Sequence, residues 1–391
     1  MLTSIALILF LGLLMGWVFS KLKLPSLLGM IIVGIILSPY ALNLIDESIL
    51  EISADLRQIA LVIILTRAGL SLDITDLKKV GRPAVLMCFV PACIEIIGTI
   101  IFAPILLNVS VLDAAIMGSV IAAVSPAVVV PRMIRLMEEG YGVKKSIPQL
   151  ILAGASVDDV FVIVIFTALT SLALVGNISV ISFVEIPISI GLGVLLGGIS
   201  GFVLTKFFKR FHMRDSVKLL IMISVSFLFL ELQNRLEGIV PVSGLLAIMS
   251  MGIIIKQKYD ILASRLSVKY NKLWIAAEIF LFVLVGATVD LNYAVSAGIG
   301  TVLLILIALI FRMVGVAVSL IKTDLSKKEK AFCMLAYTPK ATVQAAIGAI
   351  PLAMGLSCGN IVLTVAVLAI LITAPFGAIC VDRLYTKLLD K

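Results

Sequence analysis

The residues with the most chemistry in them are Asp158 and Asp159, adjacent carboxylates at the head of the run GASVDDVFVIVIF, residues 154–166. An Asp at the centre of a membrane helix costs about 2.5–3.5 kcal/mol on insertion scales. A carboxylate taken out of water beside a second carboxylate keeps a proton more readily than one in solution, yet gives it up when a cation arrives. Carboxylate oxygens suit hard cations, and the logic of calcium and magnesium sites extends to Na+ and Li+. One site then holds either a proton or an alkali cation. The alternative is a structural pair in which each Asp is held by a hydrogen bond. Adjacent helical positions point about 100° apart, so the two carboxylates face different neighbours.

Other polar residues fall in apolar runs. Ser156, just ahead of the pair, adds a ligand or satisfies a backbone carbonyl. Arg312 at membrane depth needs an acidic partner, and Glu95 is the expected one. That pair reads as a structural clamp, or Arg312 instead neutralises Asp158 during a working cycle. Prolines interrupt two spans: Pro126 and Pro131 bracket a break in one, and Pro339 and Pro351 interrupt the other. Both breaks carry polar groups, Ser125 in the first and Thr338, Lys340, Thr342 and Gln344 in the second. Two readings follow: ordinary kinked helices, or broken helices that offer half-helix ends and bare carbonyls to an ion. Lys340 there offsets the partial negative charge of helix C-terminal ends.

The elements that must position these residues are membrane helices. Of 391 residues 61% are hydrophobic and 14% charged, and the mean hydropathy is +1.22. A soluble domain carries about 25% charge. The expected fold is an all-α polytopic membrane protein. A span needs about 20 apolar residues, which gives about thirteen transmembrane helices. With the N-terminus outside and the C-terminus cytoplasmic, 26 of the 31 Lys and Arg fall in inner loops, as the positive-inside rule requires of a cell-membrane protein. The net charge of +8 therefore reflects topology, with no nucleic-acid motif present. Cys88, Cys93, Cys333, Cys358 and Cys380 lack metal-site or disulfide spacing, and no cofactor is expected.

The polar residues also repeat. Gly69-Leu-Ser-Leu-Asp73 and Gly286-Ala-Thr-Val-Asp290 lie 217 positions apart, as do Glu95 and Arg312, and the prolines of the two breaks lie 213 apart. The offset is seven spans, an odd number, so the second copy is inverted. This predicts a first repeat over 1–173 (spans 1–6), a linker span over 174–216, and a second repeat over 217–391 (spans 8–13), with the broken helices at spans five and twelve crossing near mid-depth.

These residues resemble the monovalent cation:proton antiporter superfamily over essentially the whole chain. The pair Asp158-Asp159 is similar to the aspartate pair of the NhaA and NapA type. The runs Ala123-Val-Ser-Pro-Ala-Val-Val-Val-Pro131 and Pro339-Lys-Ala-Thr-Val-Gln-Ala-Ala-Ile-Gly348 resemble the NHA branch of sodium/proton exchangers. The resemblance implies a homodimer whose dimerisation and core domains interleave across both repeats. It implies Asp159 as principal ligand for Na+ or Li+, Asp158 as its partner, Glu95–Arg312 as a buried ion pair and Lys340 on the crossed helix; from their own positions, Ser156, Ser125 and Thr342 are the candidate supporting ligands. The partners are then alkali cations, protons and the bilayer. The double aspartate suggests exchange of two protons; an arginine occupied by Glu95 suggests one-for-one exchange. Two other readings stay open: a potassium/proton antiporter of Kef type, and an intramembrane aspartyl protease. The protease needs carboxylates from separate helices.

Overall fold

The computed structural model describes the chain except residues 72–80, 176–179, 237–239, 241 and 291–297, and the side chains of residues 156, 175 and 180–187. Asp73, Lys78, Lys79 and the side chain of Ser156 therefore lie outside the described residues. Within them the chain is helical, with no strand. Eight helical stretches are long and apolar enough to cross a membrane, and two shorter apolar helical stretches accompany them.

Two compact units are present. The larger comprises Met1–Ala54, Thr75–Phe166 and Ile279–Lys391. It holds α1 (Leu2–Lys21), α2 (Ser26–Leu37), α3 (Glu47–Glu51), α5 (Arg82–Met87), α6 (Val90–Leu107), α7 (Val111–Ile121) and α8 (Pro126–Glu139). It also holds α14 (Gly298–Ser319), α15 (Lys327–Ala336), α16 (Thr342–Ile347), α17 (Ile350–Ala353) and α18 (Gly359–Leu388). The smaller unit, Asp55–Ile74 and Thr167–Glu278, contains α10 (Val180–Arg210), α11 (Asp215–Leu236) and α12 (Gly244–Lys258). Three helices, α4 (Ser53–Ser71), α9 (Ile147–Val175) and α13 (Asp260–Ala287), run from one unit into the other.

The first break falls where local chemistry forbids a helix. Pro126 would press its ring on the Ala122 carbonyl, four residues back. The helix stops at Ile121 and restarts at Pro126, at a position where no N–H is needed. The break is thus 122–125, N-terminal to Pro126. Pro131, expected to bracket it, lies inside α8 instead. In the second break, Pro339 lies in the irregular segment between α15 and α16, and Pro351 sits in the first turn of α17. Each broken span opens on a capped half-helix. Ser110 Oγ accepts from Asp113 N at 3.1 Å at the start of α7. Ser326 and Glu329 form a reciprocal capping box on α15.

Ion pairs fix the same pieces from the side. Arg132 Nε and Nη2 donate to Asp382 Oδ2 at 3.2 and 3.1 Å, and Arg135 Nη2 donates to Oδ1 at 3.0 Å, tying α8 to α18. Lys145 Nζ reaches Glu329 Oε2 at 2.7 Å. An apolar core of Met87, Val129, Met133, Phe332 and Tyr337 fills the space between these elements. In the smaller unit Gly193, Gly197 and Gly201, spaced by four, form the face of α10 that packs on the backbone of α12.

Candidate functional site

The end of α7 organises the site. A helix leaves its last carbonyls without partners, and here three consecutive carbonyls, Ile121 at the helix end and Ala122 and Ala123 just beyond it, are met by side chains distant in sequence. Lys340 Nζ donates to Ile121 O at 2.5 Å. Arg312 Nη1 donates to Ala122 O. Gln344 Nε2 donates to Ala123 O at 2.9 Å and lies 3.4 Å from Ile121 O. The two breaks touch directly: Ser125 N donates to Pro339 O at 2.7 Å, and Ser125 Oγ lies 3.5 Å from Thr342 Oγ1. The expectation of carbonyls left bare for an ion fails at these three. Two cations and an amide occupy them, because a buried carbonyl at a negative helix pole costs too much unpaired.

Four charges converge beside this end. Arg312 Nη2 donates to Asp158 Oδ2 at 2.5 Å, Nη1 lies 3.3 Å from Glu95 Oε2, and Nε donates to Tyr337 O at 3.0 Å. Its guanidinium also sits 5.0 Å from the centre of the Tyr337 ring. Lys340 Nζ lies 2.6 Å from Glu95 Oε1. Glu95, Asp158, Arg312 and Lys340 are each 0% exposed, so their formal charges must cancel among themselves, and two acids against two bases do so. Arg312 serves Glu95 and Asp158 at once, where the sequence left them as alternatives. Asp158 Oδ2 additionally accepts from Val124 N at 2.9 Å, a donor inside the first break.

Asp159 is the carboxylate left over. It takes no part in the quartet, and among the described residues its Oδ1 is buried without a hydrogen-bond partner, as is Asp158 Oδ1. Buried acceptors without donors are rare, and they mark where a proton or a cation fits. The structure therefore gathers Glu95, Ser125, Asp158, Arg312, Lys340 and Thr342 through direct contacts, with Asp159 adjacent in the chain. Three further participants lacked a role in the sequence reading: Tyr337, Gln344, and Thr373, whose Oγ1 accepts from Lys340 N at 3.0 Å. Gln344 stood out as a polar residue in a break. Thr373 gave no signal, because a lone Thr in an apolar helix commonly bonds its own backbone.

A multi-pass helical protein whose buried charges converge on two interrupted spans has the build of an ion-coupled transporter. Comparison with known proteins makes the class definite. The family model described as "Sodium/hydrogen exchanger, transmembrane" matches residues 6–386, and the chain belongs to that family, one of transporters rather than enzymes. Among relatives, sodium/hydrogen exchanger 9B2 of Mus musculus is 33% identical over 383 residues, covering 94% of this chain and 69% of that protein. Sodium/hydrogen exchanger 9B1 of Homo sapiens is 32% identical over 391 residues, covering 94% and 73%. The fold matches that of the sodium proton antiporter MjNhaP1 from Methanocaldococcus jannaschii, with a TM-score of 0.85 at 23% identity over 99% of this chain and 98% of that one.

Proposed function

We propose that this protein is a secondary antiporter that exchanges Na+ or Li+ for H+ by alternating access, with cation and proton competing for Asp159. The observation that carries the reading is the self-neutralised quartet beside an unbalanced carboxylate. Glu95 and Asp158 are matched by Arg312 and Lys340. Ionised Asp159 then adds a single uncompensated charge, which one monovalent cation or one proton neutralises. On this reading exchange is one-for-one. Asp158 orients the site through Arg312 and Val124 N, and Ser125, Thr342 and Ser156 are the supporting oxygens. Arg312 and Lys340 keep the negative end of α7 neutral.

The inverted repeat belongs to the same proposal. Glu95–Arg312 and Ser125–Thr342 both touch their partners across a separation of 217 residues. Residues related by a two-fold axis meet their own mates only where the axis passes between them. Gly98 and Gly315, also 217 apart, are close-packing points: a Cβ at either would lie 2.5 Å from Phe311 Cγ or Pro91 Cα. The positions 217 beyond Asp158 and Asp159 are Pro375 and Phe376, so the second repeat carries no matching acids, consistent with a single site. Thirteen spans, repeats over 1–173 and 217–391 with a linker span over 174–216, an external N-terminus, a cytoplasmic C-terminus and a homodimer complete the reading.

The test is flux in proteoliposomes carrying a pH-sensitive dye, with Na+, Li+ and K+ in turn. Sodium and lithium drive proton movement, with no dependence on an imposed voltage. A response to K+ alone favours the Kef-type alternative, and silence with all three ions removes the proposal.

A further inference from the structure

A third interruption lies beside the site. The helical stretch Arg82–Leu107 is cut between α5 and α6, at Cys88 and Phe89. In an unbroken helix the Met87 carbonyl would accept from the N–H of residue 91. Residue 91 is Pro and has no N–H. Tyr337 takes its place: the phenol hydroxyl donates to Met87 O at 3.0 Å. Tyr337 is 0% exposed, and it holds Arg312 in two ways. Its backbone carbonyl accepts from Nε at 3.0 Å, and its ring centre lies 5.0 Å from the guanidinium carbon. The terminal nitrogens are left for Asp158, Glu95 and Ala122 O. Helix α9 makes room for the phenol at Gly154, one turn ahead of Asp158. A Cβ at Gly154 would lie 2.5 Å from Tyr337 Oη, 3.0 Å from Met87 Cβ and 3.4 Å from Tyr337 Cζ. The first of these is closer than non-bonded atoms come.

We propose that Tyr337 is a positioning residue for the ion site: anchored on Met87 O and seated against Gly154, it aims the Arg312 fork at Asp158. This rests on the antiport reading above and deepens it. A planar guanidinium delivers its donors along fixed directions, so its plane must be set before its terminal nitrogens can reach two acids. The Nε bond to Tyr337 O fixes one edge, and the ring limits the tilt. The ring does this only while its far end is held. Without the hydroxyl, Met87 O is stranded and the ring is free to shift. Arg312 then grips Asp158 less firmly, and the site is less preorganised for a cation.

The experiment measures affinity for Na+ and Li+ in two ways: as KM for exchange in proteoliposomes, and as Kd by calorimetry on detergent-purified protein. It compares wild type, Tyr337→Phe, Gly154→Ala and the double variant. Tyr337→Phe raises KM and Kd about tenfold, with kcat within about twofold of wild type. Gly154→Ala does the same, because its methyl displaces the phenol hydroxyl. In the double variant that methyl meets Cζ at 3.4 Å, an ordinary contact, so binding is no weaker than in Tyr337→Phe alone. Independent effects would instead multiply to about a hundredfold. Thr364→Val is the control for a buried polar deletion; its hydroxyl donates to Asn360 O of its own helix, and its KM stays at the wild-type value. Thermal melts identify which variants are folded, and Tyr337→Phe decides alone if Gly154→Ala is not. Multiplied effects, or a folded Tyr337→Phe with wild-type affinity, overturn the role of Tyr337. A wild type that neither binds nor exchanges these ions overturns the antiport reading instead. The melting temperatures then decide the contact: a double variant as stable as Tyr337→Phe supports it, and additive losses overturn it.

Discussion

Arg312 donates to Asp158 at 2.5 Å through one terminal nitrogen while the other lies 3.3 Å from Glu95, so a single guanidinium joins two buried acids. Arginine suits this task because its planar fork presents several donors at fixed angles; a lysine has a point charge and cannot span both. The same guanidinium also caps Ala122 O and Tyr337 O. Replacing Arg312 with Ala strands two carboxylates and two carbonyls. The expected loss is about 3–5 kcal/mol of stability, read as a large fall in melting temperature in detergent. Arg312→Lys recovers part of it. A stable, inactive Arg312→Ala would move this residue out of the framework and into the transport cycle.

Lys340 and Glu95 meet at 2.6 Å with neither exposed. Removing one member leaves the other charged and buried, whereas removing both leaves two neutral groups of similar shape. Lys340→Met is therefore more destabilising alone than when combined with Glu95→Gln. A double-mutant cycle on chemical unfolding measures this, with a coupling of about 1–3 kcal/mol expected. Strict additivity would contradict the pairing.

Gly197 of α10 stands against the backbone of Ala247 on α12, where a Cβ has no room. Gly197→Val forces the helices apart and destabilises the smaller unit. Gly198, next along the helix, has nothing within 4 Å of an added Cβ, so Gly198→Val is tolerated. Limited proteolysis of the two variants separates them; equal resistance would count against the close approach.

Much of this arrangement was legible in the sequence, and the boundary has a physical cause. Asp158, Asp159, Glu95, Arg312 and Lys340 stand out because charge in an apolar run is costly wherever it occurs. Pro126 and Pro339 mark breaks because proline acts locally. The sequence pointed to Glu95 as a partner of Arg312, with Asp158 as the alternative, but not to Arg312 serving both acids at once or to Lys340 as the second base on Glu95. Lys340 pairs with Glu95 across 245 positions, and Arg312 with Asp158 across 154. Several helices lie between the partners in each case, so no local periodicity encodes the pairing. Pro131 misled for the opposite reason: packing holds α8 helical through it, and tertiary context overrode a local preference. The occupied carbonyls of Ile121, Ala122 and Ala123 were hidden because a sequence shows donors and acceptors without their distances.

Outside the spans, Asp46 caps α3 and accepts from Ser48 Oγ at 2.5 Å and Ser48 N at 3.0 Å. The Ser48 hydroxyl leads in holding its carboxyl down, at about 2 against an ordinary 3.8. A depressed carboxylate contributes stability that is present above its unfolded pKa and is lost as pH falls through its folded value. The window here runs from 3.8 down to about 2. Asp46→Asn accordingly flattens the acid arm of the melting profile in that window and leaves the profile above pH 5 parallel to wild type. An acid arm as steep as wild type would contradict the cap.

The central claim is that one buried carboxylate, Asp159, holds a proton and an alkali cation by turns. Proton release on cation binding tests it most directly. Detergent-purified protein in weak buffer is titrated with NaCl or LiCl while a dye reports pH, and calorimetry reports binding. The account predicts one proton released per cation bound under acidic conditions, with apparent affinity falling about tenfold for each unit of pH below the titration midpoint. Both effects vanish in a folded Asp159→Asn. Cation binding that releases no proton and keeps the same affinity across pH would contradict it.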